Sequence, residues 1–116
     1  MIATLSTSNM KSYLNSLTRF NNRFYNTTTG RKSAQWIFDK LTNITSECEA
    51  TGVTVYKFIH PWPQFSVIAR INGATPGPVT ILGSHQDSIN LDSFESGRAP
   101  GADDVRCFDI SFDNCY

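Results

Sequence analysis

A histidine and a carboxylate stand two residues apart in His85-Gln86-Asp87, inside the polar stretch Gly83–Asn90. Imidazole and carboxylate are both good zinc ligands, and a metal-binding histidine needs an acceptor that holds its second ring nitrogen. An extended backbone places side chains two residues apart on the same side, so Asp87 could orient His85 or share its metal. An ordinary polar turn is the alternative, and the tripeptide alone favours it.

A second acidic stretch, Ala99–Asp104, follows after a short loop. Its two carboxylates, Asp103 and Asp104, come after a rigid Pro-Gly turn, and a carboxylate can bridge two divalent ions. Adjacent acidic residues in a loop are usually only solvated. The ordered combination of the two stretches is more specific than either alone and favours a metal site.

Two helices are predicted ahead of these stretches. Apolar residues recur at intervals of three and four from Ser8 to Phe24, which predicts an amphipathic surface helix. Ser33 is the expected cap of a second helix. The apolar face of that second helix consists of Trp36, Ile37, Leu41 and Ile44.

Three strands are predicted after the helices: Val53–Ile59, Phe65–Ile71 and the short apolar run Val79–Leu82. The third suits a strand covered on both faces, and it leads directly to Gly83. Open α/β sheets place ligands where buried strands end, so the third strand would deliver His85 and Asp87 to such a position. The order of elements predicts the front part of an α/β sheet.

Composition limits the classes of partner. The 116 residues are enough for one domain, and ten basic side chains balance ten acidic ones, which argues against nucleic acid or an anionic membrane as a partner. No apolar run is long enough to span a bilayer, and no signal peptide is visible. Asn26 and Asn43 begin N-glycosylation acceptor patterns, and the three cysteines are expected to be unpaired or buried thiols.

The two polar stretches resemble the zinc aminopeptidases of peptidase family M28, in particular the secreted fungal leucine aminopeptidases. The resemblance is close at Val79–Asn90 and Ala99–Asp104, and looser over the helices, Lys57–Trp62 and Ser66–Arg70. It implies a mixed-sheet zinc-exopeptidase fold of the phosphorylase/hydrolase-like type, with helices on both faces of the sheet. It also implies secretion, and a peptide with a free N-terminus as the substrate.

The resemblance also implies residue roles. His85 would be a zinc ligand, Asp87 the carboxylate that orients its ring, and Asp104 the bridge between two zinc ions, or Asp103 if the alignment slips by one. Zinc-activated water would attack the scissile carbonyl, while a glutamate general base, which this chain lacks in the required context, would move the proton.

The chain departs from the family pattern after Asp104, where Val105-Arg106 replaces a further acidic residue. Residues 1–104 are therefore interpreted as the N-terminal part of a peptidase domain, and residues 105–116 as a divergent tail. Translated intron sequence would explain the tail, because Val105-Arg106 can be encoded by GTACGT, which has the form of a splice donor. The front end is expected to be incomplete too.

Because ligands and the general base are missing, we expect the 116-residue chain to be catalytically silent. Two alternatives remain open. One is a non-catalytic secreted module derived from the peptidase fold, and the other, which the Ala99–Asp104 stretch favours less, is a relative of glutaminyl cyclases.

Overall fold

The first helix, α1, is shorter than the sequence predicts. The computed structural model describes residues 6–102, and in it α1 spans Thr7–Leu17. Ser6 caps it by accepting a hydrogen bond from the Asn9 backbone N–H at 3.3 Å. The prediction that the helix continues to Phe24 is wrong: the Arg19 and Phe20 N–H groups donate to carbonyls three residues back, and the Arg23 N–H donates to the distant Ser88 carbonyl at 3.1 Å.

The second helix, α2, begins earlier than predicted and spans Thr28–Glu47. Its cap is Thr27, whose hydroxyl accepts from the Gly30 N–H at 3.1 Å. The expected cap, Ser33, lies instead inside the helix, where its buried hydroxyl donates to the Gly30 carbonyl at 2.8 Å. The predicted apolar face is confirmed: Ile37 is buried, and Trp36, Leu41 and Ile44 are half-buried.

Two antiparallel strands follow, β1 at Val53–Phe58 and β2 at Ser66–Ile71. Their register pairs Val53 with Ile71 and Phe58 with Ser66. The strands agree with the predicted segments to within one residue, and α2 packs against both of them. The described part of the chain therefore combines two helices with a two-stranded antiparallel sheet, so α and β structure are mixed.

The predicted third strand is absent from the described residues, where the sheet contains only β1 and β2. Residues 79–82 have no regular structure, and Val79, Ile81 and Leu82 are 82%, 85% and 95% exposed. A strand needs a neighbour to complete its backbone hydrogen bonds, and an apolar run does not reveal whether that neighbour exists. His85 and Asp87 therefore follow an extended, exposed segment instead of a buried strand.

Buried polar groups are unusually prominent in this molecule. The buried apolar side chains of the described residues are Leu17, Ala34, Ile37 and Phe65. The buried polar ones are Asn22, Arg23, Ser33, Gln64 and Ser88. Because buried polar groups are costly unless they are hydrogen-bonded, the interior depends on hydrogen bonds as well as on apolar packing.

Cys48 is disulfide-bonded, which corrects the expectation of an unpaired or buried thiol at that position, while Cys107 and Cys115 lie outside the described residues. The sequence shows no C-x-x-C spacing, so the prediction had no local pattern from which to infer the bond. None of the helices in the described range combines the length and the hydrophobicity that a membrane span requires.

Candidate functional site

The structure brings His85 and Asp87 into direct contact. His85 Nδ1 lies 3.2 Å from Asp87 Oδ1 and 3.0 Å from the Asp87 carbonyl oxygen. Both partners are acceptors, so Nδ1 carries the ring proton and donates it to them. Among the described residues Nε2 has no hydrogen-bond partner, and its lone pair is available to a ligand.

This pair is partly open to solvent, with the side chains of His85 and Asp87 58% and 34% exposed. Exposed ion pairs and hydrogen bonds contribute little to stability, about 0–1 kcal/mol. The contact therefore orients the imidazole ring more than it stabilises the fold.

A cleft of about 410 Å³ borders both side chains. Its lining also includes the rings of Tyr25, His60 and Trp62. His60 and Trp62 stack with centroids 4.6 Å apart at 9°, and Tyr25 meets Trp62 edge to face at 5.4 Å. The site thus combines an oriented imidazole with an aromatic wall, as ligand-binding clefts in proteins often do.

Sequence reasoning did not predict this aromatic wall. His60 and Trp62 belong to the His60-Pro61-Trp62-Pro63 link between β1 and β2, which the prolines marked only as an irregular connection. His60 Nε2 also shares a 2.8 Å hydrogen bond with Ser66 Oγ at the start of β2. The concentration of aromatic residues in a short interstrand link was the signal that could have identified it.

Arg23 is the second group that the sequence did not single out. Its side chain is 1% exposed, and its guanidinium donates to four backbone carbonyls. These acceptors are Leu17 O at 3.2 Å, Gln86 O at 3.0 Å, Pro100 O at 2.6 Å and Gly101 O at 3.4 Å. Arg23 therefore joins the segment that contains His85 and Asp87 to the Pro100-Gly101 turn.

The remaining predicted ligands, Asp103 and Asp104, lie outside the described residues. Within residues 6–102 no group of three or more histidine, cysteine, aspartate or glutamate side chains is arranged to hold a metal ion. The described part of the chain therefore offers one oriented imidazole and one supporting carboxylate.

Comparison of the sequence with known proteins identifies relatives of this chain. The chain is 53% identical to leucine aminopeptidase 1 of Penicillium rubens over 103 residues, which are 87% of this chain and 26% of that protein. It is 51% identical to leucine aminopeptidase 1 of Aspergillus fumigatus over 102 residues, 86% of this chain and 26% of the relative. The chain is similar to fungal leucine aminopeptidases.

A third relative extends the same result. The probable leucine aminopeptidase of Arthroderma benhamiae is 50% identical over 104 residues, 90% of this chain and 27% of that protein. The chain spans about a quarter of the length of the curated relatives it matches. No family model matches it.

Proposed function

We propose that this chain carries part of the metal site of a zinc-dependent aminopeptidase of peptidase family M28. The observation that carries the proposal is the His85-Asp87 contact: the ring proton is held on Nδ1, which leaves Nε2 to bind a metal. Similarity to proteins named leucine aminopeptidase supplies the reaction, which is removal of N-terminal residues such as leucine from peptides.

The residues fit zinc as part of a ligand set. A zinc-binding histidine commonly donates its other N–H to a carboxylate or to a backbone carbonyl, and His85 does both through Asp87. In the proposal His85 is a ligand, Asp87 fixes its tautomer, and Asp104 supplies the bridging carboxylate, or Asp103 if the alignment slips by one. Bound zinc would supply Lewis acidity toward the scissile carbonyl and lower the pKa of a water nucleophile.

The chain's own residues would prepare the cleft for a peptide. Asp87 keeps the His85 ring in one orientation, so the metal-binding nitrogen need not be reoriented when the ion binds. The rings of Tyr25 and Trp62 provide apolar surface on the same cleft, and apolar surface favours a substrate with a hydrophobic residue such as leucine.

This part of the site is insufficient for catalysis. A catalytic zinc normally has three protein ligands, and the proposed reaction also needs a general base. We therefore propose that the 116-residue chain is catalytically silent by itself, with residues 1–104 forming part of a mixed-sheet peptidase domain and residues 105–116 a divergent tail.

We also propose that the protein acts outside the cell on peptides with a free N-terminus. Cys48 is disulfide-bonded, and disulfides persist mainly in oxidising compartments. Asn26 and Asn43, which begin the two glycosylation acceptor patterns, are both exposed, as a glycosylated asparagine must be.

The test is a chimaera in which residues 1–104 replace the matching segment of the Penicillium rubens leucine aminopeptidase. We expect zinc-dependent release of leucine from a leucyl amide, a His85→Ala chimaera at least 100-fold less active, and no activity from the 116-residue chain. Full activity in the His85→Ala chimaera would contradict the assigned role. A folded chimaera that binds no zinc would favour a non-catalytic module, and cyclisation of glutaminyl peptides would favour the cyclase relationship.

A further inference from the structure

One buried side chain connects the two polar stretches of the candidate site. The acceptor on the first stretch is the Gln86 carbonyl, which lies between His85 and Asp87 in the chain, and Arg23 Nε donates to it at 3.0 Å. The acceptors on the second stretch are the carbonyls of Pro100 and Gly101, shortly before Asp103. A single guanidinium thus joins the Gln86 carbonyl to the carbonyls of Pro100 and Gly101.

The backbone of the same residue strengthens this connection. The Arg23 N–H donates to the Ser88 carbonyl at 3.1 Å and lies 3.2 Å from Ser88 Oγ, and Ser88 Oγ donates to the Ala99 carbonyl at 2.6 Å. Arg23 and Ser88 together therefore fix the backbone on both sides of residues 89–98. Because Arg23 and Ser88 are themselves buried, breaking one of their contacts leaves an unsatisfied polar group, at a cost of about 1–3 kcal/mol.

We propose that Arg23 is a positioning residue for the metal site: it holds the His85-Asp87 segment at a fixed separation from the turn that leads to Asp103 and Asp104. This inference rests on the proposed function for its significance, but the positioning itself is a property of the chain. Arg23 is not a proposed ligand itself, and it acts through the main chain of Gln86, Pro100 and Gly101, which neighbour the proposed ligands in the sequence.

Arginine suits this role better than lysine. The guanidinium is planar, carries five N–H donors in a rigid fork and remains charged at all accessible pH values, so it can serve several carbonyls at once. A lysine ammonium has three donors on a flexible stem and cannot keep the same set of acceptors in the same geometry. Arg23→Lys should therefore retain the charge and lose the fixed separation.

The first measurement is the tautomer of the neutral His85 ring in the 116-residue chain, read from its ¹⁵N chemical shifts. In the wild-type chain we expect the proton on Nδ1. In Arg23→Lys the released Gln86 carbonyl lets the segment relax, and we expect the ratio of Nδ1-H to Nε2-H to fall several-fold. A purely structural role would leave the ratio unchanged in the molecules that remain folded.

Asn22→Ala is the matched control, because Asn22 is equally buried in the same segment but donates to the carbonyls of Glu95 and Gly97 instead. It should lower stability and leave the His85 tautomer as in the wild type. If Arg23→Lys does not fold, Ser88→Ala is the second variant. It removes the hydroxyl that accepts from the Arg23 N–H and should shift the tautomer ratio in the same direction. An unchanged ratio in every folded Arg23 or Ser88 variant would overturn the proposal.

The second measurement is the zinc affinity of the same variants made in the chimaera, which supplies the rest of the proposed ligand set, followed through the zinc-induced shift of His85 Nε2. Loss of an outer support typically weakens metal binding about 10- to 100-fold, so Arg23→Lys should bind at least ten times more weakly than Asn22→Ala. If Arg23→Lys shifts the tautomer ratio but the unsubstituted chimaera binds zinc no better than its His85→Ala variant, the proposed metal site is contradicted and the effect of Arg23 on the segment stands. Tight zinc binding that Arg23→Lys leaves unchanged would contradict the positioning role of Arg23 and leave the proposed metal site intact.

Discussion

Replacing Gly101 with alanine should destabilise the chain by about 2–5 kcal/mol. Gly101 has a φ of +58°, a left-handed conformation that costs a residue with a Cβ atom roughly 1–2 kcal/mol. An added Cβ would also lie 2.6 Å from Arg23 Nη2 and 2.7 Å from Ser88 Cβ, distances at which atoms must move, and such overpacking costs about 1–3 kcal/mol. The substitution thus strains the backbone at residue 101 and displaces the side chains of Arg23 and Ser88.

Thermal unfolding followed by circular dichroism measures this effect. In a domain of this size each kcal/mol lowers Tm by about 4–8 °C, so Gly101→Ala should lower Tm by at least about 8 °C. Gly77→Ala is the control, because Gly77 is exposed and a Cβ there meets nothing within 4 Å. Its Tm should stay within about 2 °C of the wild type. Equal melting temperatures for the two variants would refute the close approach of Gly101 to Arg23.

Three further results are expected. Gly30→Ala should destabilise the chain by about 2 kcal/mol in urea titrations, because the new Cβ would collide with the Phe24 carbonyl. Alanine normally favours helices over glycine, so a gain in stability would contradict this packing. Thr27→Ala should cost about 1 kcal/mol by the same method through loss of the α2 cap, whereas Thr27→Ser should retain most of it, so equal losses would argue against capping. Reducing the disulfide of Cys48 should lower stability by about 2–5 kcal/mol, measured as a drop in Tm that a Cys48→Ser variant does not show on reduction.

Local patterns predicted the regular elements well. The apolar spacing of α2 and the alternation of β1 and β2 reflect faces that pack on each other, and these faces are visible in a single sequence. The start of α2 was predicted less accurately, because a cap depends on which hydroxyl reaches a free N–H at the helix start. Thr27 and Ser33 both carry a hydroxyl, and the sequence does not show which one does so. The strand predicted at residues 79–82 was wrong for another reason: an apolar run favours burial, but it does not reveal whether a neighbouring strand is present to pair with it.

The site was predictable to the extent that it is local. A spacing of two residues brought His85 and Asp87 together even though residues 79–82, within the described range, form no strand before them. Arg23 was hidden because it lay on the polar side of a predicted surface helix, where arginines are normally solvated. Three of the four carbonyls to which its guanidinium donates lie 63 to 78 residues away, and pairings at that distance leave no periodic trace in one sequence.

The bonds that Arg23 makes to Gln86, Pro100 and Gly101 all end on main-chain oxygens. A carbonyl is present whatever side chain its residue has, so these three bonds place no demand on the side chains of Gln86 and Pro100, although the surrounding contacts need the Ser88 hydroxyl and the glycine at position 101. The first stretch can consequently exchange side chains that line the cleft while its backbone stays in place. That separation makes residues 84–87 a favourable region for redesigning ligand chemistry without rebuilding the scaffold.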